Sequence, residues 1–294
     1  IFLVNVPIIV ALVPLAYRSL EETRPDHARS LDAAGSVSLT LALAALIFAM
    51  SSGEQRGFGA SLTLGALGLS AILTIAFVVI ERRAREPVVS FSFLNIPARR
   101  TAVIGLMMLG GALSAYAFMI ALFLRGALGF SGSETSLVFI PGPVVFVTSS
   151  LLLTRRLLER LGPKIVALAG LVSLAAGQFW LSRLSADSSY LSGVFPGLLM
   201  TGLGVGLTLP TFAATITSGA RPEERGLAGG LVPTAQQIGA AIGVAVLTTI
   251  AATTTASHGG DIATGFGRAF LISGIALAAL MVLVALTPLR PSHR

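Results

Sequence analysis

A chain in which apolar stretches about twenty residues long alternate with short basic loops has few ways to fold. Nine such stretches run roughly 1–17, 33–52, 61–80, 101–124, 134–153, 164–182, 191–217, 227–251 and 268–289. A helix crossing the hydrocarbon core of a bilayer needs ~20 mostly apolar residues. Stretches 61–80 and 227–251 meet that length with no charge inside. Their Leu, Ala and Gly content reads as helix. The ~10-residue alternating segments of a transmembrane barrel are missing. At 54% apolar and 11% charged residues, a water-soluble globule is excluded.

The basic residues fix orientation. Loops after the odd-numbered stretches carry Arg18, Arg24 and Arg29; Arg82, Arg83, Arg85, Arg99 and Arg100; Arg155, Arg156, Arg160 and Lys164; Arg221 and Arg225; and Arg290 and Arg294. The remaining loops hold only Arg56, Arg125, Arg183 and Arg268. Cytoplasmic loops collect Lys and Arg, so the first set marks the cytoplasmic side and places the C-terminus there. The net charge of +7 is thereby assigned to membrane ends and head groups, with no basic-aromatic stretch for nucleic acid. Ile1 already lies inside an apolar run, preceded by neither Met nor a basic n-region, so upstream sequence is expected.

Little here supports an enzyme. His27, His258 and His293 fall in loops or at the terminus, unpaired with any ligand at metal spacing. Cysteine is absent, which removes disulfides, thiolate metal sites and a nucleophilic thiol. No catalytic residue, metal or cofactor is expected. All thirteen carboxylates sit in loops or within a turn of a span end, so no midplane acid marks a proton relay. Asp32 and Glu134 read as helix caps.

Polar and small residues do form stripes. Gly197, Thr201, Gly204, Thr208, Thr211 and Thr215 share one face of the seventh span. Gly230, Thr234, Gln237, Ala241, Ala245 and Thr248 share one face of the eighth, with Gln236 beside them. Small residues let helix backbones approach, and Gly239 and Gly243 have the small-xxx-small spacing. The glutamines read either as cavity groups or as interhelical hydrogen bonds, since a lipid-facing amide would go unsatisfied. Ala112, Tyr116, Met119 and Phe123 line one face of the fourth span. That is a packing stripe or an adaptable surface for apolar ligands. Pro141 and Pro143 interrupt the fifth span, and Gly204 and Pro210 weaken the seventh; these four are the expected hinges. The segment Glu81–Arg100, basic at both ends with Val88, Val89, Phe91, Phe93 and Leu94 between, reads as an interfacial element or an anchored linker.

Several stretches together carry a family likeness. IFLVNVPI, EPVVSFSFLNIPARR, RRLLERLGPK, GLGVGLTLP and GLAGGLVPTAQQIGAAIGVAVL make the chain resemble the C-terminal two-thirds of a fourteen-span drug:proton antiporter of the major facilitator superfamily. The resemblance covers nearly the whole chain. It implies a major-facilitator-type all-α bundle with nine transmembrane helices here. Residues 1–17 would close the N-terminal bundle, 18–32 link on the cytoplasmic side, 33–80 form the inserted two-helix hairpin, 81–100 a cytoplasmic loop and 101–294 the C-terminal six-helix bundle. It also implies that the proton-linked Asp and coupling Arg lie upstream. The chain departs from the family where Pro233 and Gln236 replace the frequent Asn and Arg.

The function expected is proton-coupled export of small hydrophobic or amphipathic compounds across a bacterial inner membrane, by a monomer in membrane lipid. Tyr116, Met119, Thr201, Thr208, Gln236 and Gln237 are the expected cavity contacts. Arg155, Arg156, Arg160 and Lys164 are the expected cytoplasmic gate. A membrane scaffold or sensor without a transport cycle is the alternative; the Gly- and Pro-weakened spans favour transport.

Overall fold

The computed structural model describes residues 60–83, 91–185, 187–221 and 224–289, with isolated positions between 7 and 52. The described residues are helical, and no strand occurs among them. The elements are α1 (Ser61–Arg83), α2 (Pro97–Gly126), α3 (Gly132–Phe139), α4 (Pro141–Thr148), α5 (Arg155–Leu181), α6 (Phe195–Thr217), α7 (Arg225–Ser257) and α8 (Ile262–Leu286). Two wider π turns, Ser149–Thr154 and Tyr190–Val194, join α4 to α5 and lead into α6. The expected first span and second span, the 18–32 linker and the inner part of the 81–100 loop lie largely outside the described residues. Two hydrogen bonds still tie the second span to α1: Ser70 Oγ donates to Ala42 O at 2.9 Å, and Thr63 Oγ1 to Ser52 Oγ at 3.2 Å.

Five helical stretches are long and apolar enough to cross a membrane. One of them, Gly132–Leu181, counts 50 residues. At ~1.5 Å per residue it would reach about 75 Å if straight, far more than the ~30 Å hydrocarbon core. It is broken at Gly162, where φ is 78° and ψ 165°. That left-handed φ suits glycine, and Pro163 then starts the next helix where its missing N–H costs nothing. Packing shows the reversal. Gly142 and Ser149 lie against Gly202 and Gly206 of α6, whereas Gly170 and Gly177 lie against Gly204 and Gly197 in descending order. The expected fifth and sixth spans are therefore separate. The nine-span count itself is not reached by the described residues.

Glycines set how closely the helices pack. Apolar side chains gain nothing by leaving lipid for a helix interface, so dispersion and close backbone approach carry the association. A methyl on Gly204 would meet the Gly170 carbonyl oxygen at 2.7 Å, and one on Gly170 the Gly204 carbonyl oxygen at 2.9 Å. The Gly177 and Gly197 pair repeats this about two turns further along the same seam. Between α2 and α7, a methyl on Gly111 would stand 2.7 Å from the Gly239 carbonyl oxygen, and methyls on Gly239 and Gly243 would run into the Met107 and Gly111 backbones. The α6 stripe read from sequence is this seam: Thr208, Thr211 and Thr215 are buried, and their hydroxyls return to the carbonyls of Gly204, Leu207 and Thr211. α6 stays helical through both Gly204 and Pro210. At Ile140 the hydrogen bonding tightens to Leu137 O, and Pro141 opens α4, so the proline-rich joint in the fifth span is a real discontinuity.

The helix directions sort the charges to two ends. Arg99, Arg155, Lys164 and Arg221 lie at one end of the bundle, Arg125, Arg183 and Arg268 at or near the other. Two basic residues do more than mark the ends. Arg99 is buried, lies 3.9 Å from the centre of the Phe93 ring, and donates to the Ser218 carbonyl at the end of α6. Phe93, on the short turn Phe91–Asn95, sits in the core and anchors that turn; Val88 and Val89 lie outside the described residues. Lys164 donates to the Ala285 carbonyl in the last turn of α8, where a cation also complements the helix dipole. At the opposite end Ser131 and Glu134 form a reciprocal cap, Ser131 being the N-cap and Glu134 the third helical residue. Asp261 caps α8, so that helix starts six residues before the expected boundary and carries Arg268 inside it.

Two predictions follow from this packing. Gly239→Ala should lower the thermal stability of the detergent-extracted protein by about 1–3 kcal/mol, as overpacking does. Gly229→Ala, with open space at its Cβ, should not. The Glu224 carboxyl is held below its ordinary range mainly by the Arg221 backbone N–H, and also by the Arg221 guanidinium at 3.0 Å. A depressed folded value means that the contribution is complete above the unfolded value of about 4.3 and is lost as pH falls through the folded one. The stability gap between wild type and Glu224→Gln should therefore close between neutral pH and about pH 3; a gap independent of pH would contradict it.

Candidate functional site

Three of the helical segments that cross at the proline joint leave a space. α2 contributes Leu113, Tyr116 and Ala117; the fifth span contributes Phe139, Gly142, Pro143 and Phe146; α6 contributes Leu198, Thr201, Gly202, Val205 and Leu209. The cavity holds about 400 Å³. It exists because three devices coincide. Gly142 and Gly202 bring the fifth span onto α6, Pro141 opens a new helical segment in the wall, and a π turn follows at Ser149–Thr154. Such π insertions recur at functional sites.

Aromatic rings shape it. Tyr116 stands edge-on to Phe139 with centroids 6.4 Å apart, and 6.5 Å from Phe270 of α8. Tyr190 donates to the Val138 carbonyl at 2.8 Å and packs on Phe130 and Phe195, fastening the fifth and seventh spans at the Arg-poor end. No ionisable carboxylate, amine or guanidinium lines the cavity. Such a space favours apolar or aromatic matter and offers nothing to a strongly hydrated ion.

The expected contacts separate into groups. Tyr116 and Thr201 line the cavity together with the expected hinge Pro143. Thr201 is nearly buried and turns its hydroxyl toward Gly177, finding no hydrogen-bond partner among the described residues. Met119 is buried in a second cluster with Phe123, Leu247 and Phe270. Thr208 is fully buried against Gly170, so it serves the seam between α5 and α6. Gln237 is exposed on the bundle surface; Gln236 is half-buried, its carbonyl pressed against Gly110 of α2. Of the expected gate, Arg155 pairs with Glu159 at 3.1 Å on its own helix, Lys164 is spent on α8, and Arg156 and Arg160 are exposed.

Sequence reasoning passed over three features. Phe139 and Phe146 line the cavity, yet apolar residues in an apolar span carry no distinguishing signal. Gln178 is the third: it is 1% exposed, and neither amide atom has a partner among the described residues. Its neighbour Gly177 abuts Thr201, and Phe179 packs on Gly274, next to the equally unpartnered Ser273. Gln178, Thr201 and Ser273 thus share one level on α5, α6 and α8. A lone amide in an otherwise apolar span was the available clue. No group of residues able to hold a metal occurs among the described residues.

A buried hydroxyl without a partner costs ~1–3 kcal/mol. Thr201→Val should therefore leave the fold intact and raise its stability by about 1 kcal/mol in a thermal melt. A clear loss would mean that the hydroxyl has found a partner.

Comparison with known proteins places this geometry. The sequence model of the Major Facilitator Superfamily matches residues 1–244 and 102–294. The cephamycin export protein CmcT of Amycolatopsis lactamdurans is 31% identical over 295 residues, covering 99% of this chain and 60% of that protein. The puromycin resistance protein pur8 of Streptomyces alboniger is 31% identical, covering 88% of this chain and 52% of its own length. The multidrug resistance protein Stp of Mycobacterium tuberculosis is 31% identical, covering 86% and 46%. The chain spans about half the length of the curated relatives it matches.

Proposed function

The chain belongs to the Major Facilitator Superfamily of multi-pass membrane proteins, and from that premise we propose that it is the C-terminal portion of a proton-coupled exporter of small hydrophobic or amphipathic compounds. The observation that carries the proposal is the aromatic-lined, charge-free cavity of about 400 Å³ at the proline joint between α2, the fifth span and α6. A pocket without charge recognises ligands by shape and apolar contact, which suits a broad set of substrates. The relatives named for cephamycin export and for puromycin and multidrug resistance support this reading.

In this proposal residues 101–294 form the C-terminal six-helix bundle, 33–80 an inserted hairpin and 1–17 the last helix of an N-terminal bundle. The protein is a monomer in a bacterial inner membrane with its C-terminus in the cytoplasm. Rocking of the two bundles exposes the substrate alternately to either side. Tyr116 and Thr201 contact substrate from the cavity wall. Gln237, exposed on α7, faces the space between the bundles and gives the substrate a polar partner. Exposed Arg156 and Arg160 meet the other bundle at the cytoplasmic side. Protons drive export through acidic groups outside these residues.

Dye efflux from energised cells expressing the full-length gene tests the reading. Efflux should stop when the proton gradient is collapsed; efflux that survives collapse excludes antiport. Tyr116→Ala and Phe146→Ala enlarge the cavity and should shift the substrate profile toward bulkier compounds by at least about tenfold in the ratio of efflux rates. An unchanged profile in both would remove the cavity from the substrate path.

A further inference from the structure

The Arg-poor end of the bundle contains a second, chemically opposite cavity. It lies where the α5 terminus meets α7 and α8, holds about 730 Å³, and is lined by Ser182, Arg183, Thr254, Ser257, His258 and Arg268 among others. Only three basic residues are described between α2 and α8 at this end, and two of them converge here. No carboxylate lines the cavity, and neither arginine makes an ion pair among the described residues. We propose that this cavity binds a phosphoryl anion, held by the Arg183 and Arg268 guanidiniums.

The donor inventory singles out the arginines. Ser182 Oγ already donates to the Phe179 carbonyl, Ser257 Oγ to the Thr254 carbonyl, and Thr264 Oγ1 to the Asp261 carboxylate. These hydroxyls offer lone pairs, not protons. His258 Nδ1 lies 2.9 Å from the Thr254 carbonyl and so carries its proton there, which leaves Nε2 a donor only on the imidazolium. The charged donors are therefore two planar forks, the geometry that matches phosphate oxygens, with the Thr254 hydroxyl on the same lining. The nearest carboxylate on α8, Asp261, does not compete for them. One oxygen accepts from the Ala263 N–H at 3.0 Å, the other from Thr264, and these bonds hold its pKa below the ordinary range.

The fold placed these groups deliberately close. Gly267 is buried where a side chain would meet the Ser182 carbonyl at 2.8 Å, so α8 lies directly against the end of α5, and Arg268 and Arg183 line one cavity. The early start of α8 at its Asp261 cap fixes the helical register that aims position 268 here. Leu184, Gly267 and Leu271 complete the lining. A phosphate with an acyl tail and a free phosphate share the chemistry of the two forks.

Binding is read from the emission of the chain's one tryptophan, Trp180, one turn before Arg183, and in parallel from the thermal melting shift of the same samples. The detergent-solubilised protein is titrated with phosphatidylglycerol, phosphatidylcholine and sodium phosphate. A saturable change with phosphatidylglycerol but neither of the others identifies a lipid head group. A saturable change with sodium phosphate identifies a free-anion site. No saturable change with either anion overturns the proposal. Arg183→Gln with Arg268→Gln should weaken binding at least about tenfold, as loss of charge-assisted hydrogen bonds implies. Arg125→Gln, at the same end but outside the cavity, should not. Should the double variant fail to fold, Arg268→Gln alone is read in the same way, and wild-type affinity in it sinks the assignment.

Discussion

Backbone-to-backbone contact at glycine holds this bundle together. In lipid an apolar side chain gains little by moving to a helix interface, so helices must come close enough for dispersion between main chains. Gly170 with Gly204, Gly177 with Gly197, and Gly111 with Gly239 and Gly243 provide that closeness along two seams. Everything else is hung on them. The α5–α6 seam leaves the fifth span on the other side of α6, and the α2–α7 seam leaves α2 free to turn Tyr116 into the space between. The cavity lies where the fifth span, interrupted at Pro141, meets α2 and α6 between those seams.

The two cavities divide the chemistry by depth. The one at the proline joint is aromatic and uncharged, and every lining polar group belongs to a hydroxyl-bearing residue or the backbone. The one at the Arg-poor end is polar and positively charged. Charge is costly at mid-membrane and tolerable where water and head groups reach it. The same rule explains the buried cation at the opposite end. Arg99 is tolerated because Phe93 covers it and the Ser218 carbonyl accepts from it, at the level where α2 begins.

The outlines of the fold were legible in the sequence because they rest on composition and spacing. Apolar stretches of membrane-crossing length and basic loops on alternate sides are local signals, and the long helices among the described residues overlap the stretches they mark, with ends displaced by up to six residues for α7 and α8. The start of α8 was missed because Asp261, directly after two glycines, looks like any loop acid until its carboxylate is seen accepting from Ala263. The site was legible only in part. Tyr116 and Thr201 were chosen by helical face and do reach one cavity. Thr208 shares that face and, like Thr201, abuts a glycine of α5, yet only Thr201 also borders the cavity, because a stripe names a face and not the neighbours opposite it.

The sequence alone determined that the chain is helical, that it crosses a membrane repeatedly, and which loops share a side, since hydrocarbon thickness and charge solvation act on each segment separately. Only the tertiary structure decided which glycines meet, that Gln178, Thr201 and Ser273 share one level, and that Arg183 and Arg268, far apart in the chain, line one cavity. Those are relations between segments distant in sequence, created by how closely two backbones can approach, and no single segment contains the distance.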